Sequence, residues 1–131
     1  MIRLLLDHDI TGFRALLSGS LENMGWAEYR LVEFTTLREA GLPHDTADRI
    51  IWRHCQQNSL ILLTANRNRA DIDSLEQTLM EENTPDSLPV VTVSDQQKLF
   101  DSIYRERCVE RLLEIVFDLS SYLGTGRLYI P

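Results

Sequence analysis

A chain of 131 residues and 15.1 kDa suits one domain spanning residues 1–131 and leaves little room for a second. Hydrophobic residues at 44% and charged residues at 25% exclude a disordered tail, a collagen and a coiled coil. The net charge is −7: residues 1–70 balance eight acids with eight arginines, whereas residues 71–131 carry twelve acids and five bases, the reverse of the basic excess with which proteins grip long duplexes.

Twelve of the thirteen basic residues are Arg, whose planar fork suits carboxylate or phosphate, and pairing with the abundant acids is its ordinary use. The apolar runs Leu4–Leu6 and Leu60–Leu63 fall far short of the ~20 residues of a membrane span. Met1-Ile2-Arg3 leads to Asp7 without a cleavable apolar segment, so the expectation is a soluble, cytoplasmic protein with no membrane partner. Cys55 and Cys108 stand far apart without a CxxC and are expected as reduced, packed thiols; the three histidines form no zinc motif.

In chain order, Ile2–Leu6 reads as an apolar strand, with Arg3 its one charged position, that stops on Asp7-His8-Asp9. Ile10, Phe13, Leu17, Leu21 and Met24 recur at helical spacing up to Gly25, and Tyr29–Thr36 has the β-branched and aromatic content of a second strand. Asp45 is a candidate cap for a helix in which Ala47, Ile50, Ile51, His54 and Cys55 share a face, ending near Asn58. Leu60–Thr64 is a third strand, followed by a helix from about Ile72 to Glu82 and a fourth strand at Val90–Val93. Ser94 and Gln97 have capping-box spacing ahead of a long helix to about Leu119, whose stripe of Leu112, Leu113, Val116 and Phe117 is too apolar to stay exposed. This alternation predicts a three-layer α/β/α domain with a mainly parallel central sheet, in which ligands collect outside the carboxyl ends of the strands.

Asp7, Asp9, Asp48 and Asp95 can meet at that rim if strands one, three and four lie side by side. Gathered carboxylates need a compensating cation, and oxygen-only ligation suits Mg²⁺ or Mn²⁺, the metals that clamp a phosphodiester in nucleases. Ordinary roles stand beside this: Asp9 as a helix cap, Asp48 as an N3 carboxylate favoured by the helix dipole, Asp95 in the first turn of a capped helix. Asp7 is the exception, because a carboxylate closing a buried strand is costly unless solvated, paired or metal-bound.

Leu4-Leu5-Leu6-Asp7-His8-Asp9-Ile10, Arg38-Glu39-Ala40-Gly41-Leu42, Asp48-Arg49-Ile50-Ile51 and Ile61-Leu62-Leu63-Thr64-Ala65-Asn66-Arg67-Asn68 occur in the order seen in PIN-like proteins. The chain resembles a small bacterial group of that family, related to toxin ribonucleases, over about residues 2–95; the C-terminal helix and tail, 95–131, fall outside the resemblance. It implies a PIN-like fold and a Mg²⁺- or Mn²⁺-dependent ribonuclease acting on RNA. It also implies one setting, the toxin of a toxin–antitoxin pair with an antitoxin-like partner; a homodimer is a further expectation. Carried over, the metal ligands and catalytic residues are Asp7, Asp48 and Asn66, with Asp9 an added ligand and Thr64 and Arg67 on the substrate. Asn66 departs from the family's usual Asp and removes a negative charge from a site that relies on charge, which raises a second reading: an impaired PIN-like binding or regulatory protein. A third reading is an Asp-nucleophile phosphatase, since Asp7-His8-Asp9-Ile10-Thr11 also fits the Asp-x-Asp-x-Thr of haloacid-dehalogenase-like enzymes.

Overall fold

The computed structural model describes residues 1–65 and 74–131. Strands β1 (Ile2–Leu6), β2 (Val32–Thr36), β3 (Leu60–Thr64), β4 (Val90–Val93) and β5 (Arg127–Ile130) form one sheet in the order β2-β1-β3-β4-β5, every neighbouring pair parallel. The described residues supply four α-helices: α1 (Arg14–Asn23), α2 (Asp48–Gln57), α3 (Leu75–Glu82) and α4 (Ser102–Phe117). Helices α1 and α4 pack together on one face and α2 and α3 on the other, which makes the three-layer α/β/α architecture.

The central strands are mostly apolar because both of their faces are covered, with Arg3 exposed at the start of β1 and Thr64 and Thr92 as buried polar positions. β3 and β4 are buried at every position, whereas the edge strands expose Glu33 and Tyr129. The two-residue period of β1 sends Leu4 and Leu6 into the core under α1 and α4, and Leu5 into the core under α2 and α3. The two cysteines are unbridged and buried in these opposite cores, and burial pushes both thiols up to about 12.

Several boundaries differ from the sequence expectation, each for a local reason. Ala27–Tyr29 is a 3₁₀ turn closed by Arg30 at φ 49°, so β2 begins at Val32 instead of Tyr29. Asp45 does not cap α2: Thr46 folds back onto the Pro43 carbonyl, and the helix starts after extended Ala47, making Asp48 its first residue and not its third. The buried face of α2 is Ile51, Trp52 and Cys55, while Ile50 points outward.

The Ser94/Gln97 capping box is not formed. Asp95 instead accepts from the Gln97 and Lys98 amides to cap a 3₁₀ turn, Gln96–Phe100, and α4 restarts after Asp101, which accepts from the Ile103 amide. Phe117 is exposed at 60% and rests against Trp26; Ile115 takes the buried place beside Leu112 and Leu113. Ser74 caps α3; the expected start near Ile72 lies outside the described residues.

The tail adds a fifth strand that the sequence pattern did not reveal. Gly124 turns the chain into β5 at φ +81°, and a Cβ there would stand 2.8 Å from the Pro85 carbonyl oxygen, so only glycine fits. No helix among the described residues is long and apolar enough to cross a membrane.

Candidate active site at the carboxyl edge of the sheet

The strand order reverses between β1 and β3, since β2 lies to one side of β1 and β3, β4 and β5 to the other. In parallel sheets, crevices open at the carboxyl ends of strands beside such a reversal. Leu5 pairs with Leu62 and Leu6 with Leu63, so one step further the register sets Asp7 beside Thr64. The two-residue period turns both onto the α2/α3 face.

Asp7 is 1% exposed. Its Oδ2 accepts from the Thr64 hydroxyl at 2.8 Å, and its Oδ1 accepts from the His8 amide at 2.8 Å, with the His8 ring Nδ1 at 3.0 Å from the same oxygen. The Asp7 amide donates to the Leu63 carbonyl, and the Asp7 carbonyl accepts from the Ile10 amide and the Thr11 hydroxyl. This carboxylate is held by donors from the end of β3 and from the turn after β1, which offsets the cost of its burial.

Asp9 behaves differently. The 3₁₀ turn Thr11–Phe13 has Ile10 at its N-cap and no side-chain cap, so Asp9 does not have the capping role open to it in the sequence. Its Oδ1 is buried without a hydrogen-bond partner among the described residues, while its carbonyl accepts from the Gln96 amide side chain. Burial first, and the charge of Asp7 second, push the Asp9 carboxyl up to about 6, against a smaller opposing pull from the Ala65 amide.

The polar row continues along the sheet. Thr64 pairs in register with Thr92, which is fully buried and accepts from Arg127 Nη1 at 2.8 Å; Arg127 Nε donates to Glu76 on α3 at 2.9 Å. Neither Thr92 nor Arg127 carries a sequence signal for this position, because it depends on the register of β4 and the existence of β5.

Of the acids proposed as a cluster, Asp7 and Asp9 are electrostatic neighbours at the end of β1, and Asp95 is committed to its backbone cap. Asp48 opens α2, next to Arg49, which pairs with Glu81 and Glu82 of α3. Strands one, three and four do lie side by side. Among the described residues no three of His, Cys, Asp and Glu form a metal-sized group. Asn66 and Arg67, with the acids Asp71 and Asp73, lie outside the described residues.

No protein-family model, curated protein or solved structure matches the chain.

Proposed function

We propose that the chain is a Mg²⁺- or Mn²⁺-dependent ribonuclease of PIN-like type, working at the carboxyl edge of β1 and β3. The observation that carries this reading is the buried Asp9 Oδ1, without a partner among the described residues, beside the Asp7 carboxylate. Two neighbouring acids, one with an oxygen deprived of any donor and a carboxyl that resists ionisation, are a donor set that a hard divalent cation would satisfy. Asp7 and Asp9 would hold it, with Asp48 and Asn66 as the further ligands that the PIN resemblance suggests; when bound, the metal supplies positive charge against the phosphate oxygens of RNA.

The remaining contributions come from the chain itself. Thr64 and the His8 amide fix the Asp7 carboxylate in one orientation, and the Gln96 side chain ties the Asp9 backbone to the end of β4. The phosphatase reading fares worse, because a nucleophilic carboxylate must reach phosphorus and Asp7 is buried with both oxygens engaged. The same saturation of Asp7 favours, as the second reading, a PIN-like protein that binds RNA or an antitoxin-like partner without cutting.

The test is cleavage of single-stranded RNA in Mn²⁺, with melting temperature read with and without the metal. The native protein should cleave and melt higher with Mn²⁺, Asp7→Asn should lose cleavage, and Asn66→Asp should raise both effects by adding a charged ligand. Absence of cleavage and of any metal-dependent melting shift in all three would discard the nuclease in favour of the binding protein.

A further inference from the structure

On the β2 side of Asp7 the carboxyl edge carries a cavity of about 340 Å³, lined by His8, Thr11, Thr36, Leu37, Arg38, Leu42 and His44. The volume falls within the range of small-ligand pockets. Among the described residues no acid lines the cavity, although the chain carries −7. Asp7 sits behind His8, and Glu39, next to Arg38 in sequence, is engaged by Arg14 and Thr36.

Three nitrogen-bearing side chains therefore line one space with no carboxylate in its wall among the described residues. The Arg38 carbonyl accepts from the Gly41 amide, but its guanidinium has no hydrogen-bond or ion-pair partner among the described residues, and that fork is the group that matches phosphate oxygens in pairs. His8 turns Nδ1 to Asp7, which leaves its Nε2 on the ring's far side. The His44 ring stands edge-on to His8, with centroids 5.7 Å apart.

The cavity's lining also includes apolar side chains: Leu37 is 4% exposed, and Leu42 packs on the α2/α3 core. Thr11 donates its hydroxyl proton to the Asp7 carbonyl, so what that oxygen has left to offer is lone pairs, the match for a sugar hydroxyl. A guanidinium, two imidazoles, an acceptor and apolar side chains in one cavity match the parts of a nucleotide.

We infer that this cavity is a nucleotide subsite: one nucleotide unit of a single-stranded RNA places its phosphate on Arg38 and His44 and its base against Leu37 and Leu42. The choice of an RNA strand over a free nucleotide rests on the ribonuclease reading; the subsite itself does not need the metal.

The test is a titration of the native protein in EDTA with 5′-AMP, adenosine and ribose 5-phosphate, followed by competition with a short oligoadenylate. AMP should bind saturably, each fragment at least about tenfold more weakly, and the oligoadenylate should displace AMP. Arg38→Gln and His44→Gln, both at exposed positions, should weaken AMP by about tenfold for Arg38 and less for His44 while leaving adenosine unchanged. Arg107→Gln on the outer side of α4 should change nothing. Absence of AMP binding, a fragment as tight as AMP, or Arg38→Gln indistinguishable from native overturns the subsite, and failure of the oligoadenylate to compete overturns its assignment to a strand. AMP binding in EDTA by a protein that cleaves no RNA in Mn²⁺ would keep the subsite and remove the nuclease; cleavage without AMP binding would do the reverse.

Discussion

β1 and β4 run in parallel to the same edge of the sheet, and each ends within three residues of a strand's last apolar side chain in an aspartate. At the end of β4, Asp95 spends its carboxylate on two backbone amides of the turn that follows, while the Tyr104 hydroxyl accepts from its own amide. At the end of β1, Asp7 is buried and held by a threonine from the neighbouring strand, and Asp9 keeps one buried oxygen with no donor among the described residues. Both ends are polar, but at the end of β1 the backbone amides that reach Asp9 do not offset its burial and the charge of Asp7. A strand-end acid that caps a turn is structural, whereas one left without a donor beside another acid is stored cost, which natural folds retain at sites that bind something.

Removing the acids one at a time should separate the two ends. The largest effect is expected at Asp7→Ala, which strips the acceptor from the buried Thr64 hydroxyl and the His8 amide; by the cost of orphaned buried donors it should lower unfolding free energy by about 3 kcal/mol, read as the urea midpoint. A loss below about 0.5 kcal/mol would mean that water reaches these donors and that Asp7 is not the buried anchor described above.

Asp95→Ala comes next. Loss of a carboxylate N-cap should cost about 1 kcal/mol and should not depend on Mn²⁺, because that carboxylate is used by the backbone. A Mn²⁺-dependent change in this variant would place Asp95 in the site and erase the contrast between the strand ends.

The smallest change has the opposite sign. Between its ordinary value of 3.8 and about 6, Asp9 holds a proton in the folded state that it releases when unfolded, so stability falls as pH rises through that window. Asp7 and His8 are the charged or titratable neighbours that act on it, Asp7 raising and His8 lowering its value. Asp9→Asn should therefore stabilise the protein above pH 6, by about 1 kcal/mol after allowing for solvent screening of a partly exposed group, and the gain should vanish near pH 4. Urea midpoints of both proteins in EDTA at pH 4 and pH 8 measure this; an equal difference at the two values would show that burial of the charge is not the cause.

Much of the scaffold is legible in the residues alone. The predominantly apolar runs of β1, β3 and β4 and the helical spacing between strands point to burial on both faces of a sheet, and this depends only on side-chain polarity and order along the chain. Asp7 stands out in the sequence for the same reason, as a charge directly after Leu4-Leu5-Leu6. The β5 strand did not, because Arg127-Leu128-Tyr129-Ile130 is short and half polar, and its strand character comes from pairing with β4 after the Gly124 turn.

The local caps fall elsewhere than spacing rules place them. Asp95 over Ser94 and Ala47 over Asp45 were decided by backbone geometry that a spacing rule does not contain. Sequence alone thus determined which segments are buried and that a charge ends the first of them, since the hydrophobic effect reads composition and period. Tertiary structure alone decided that Thr64 meets Asp7, that Thr92 meets Arg127, and that His8, Arg38 and His44 share one cavity, because strand register and order bring together residues far apart in the chain.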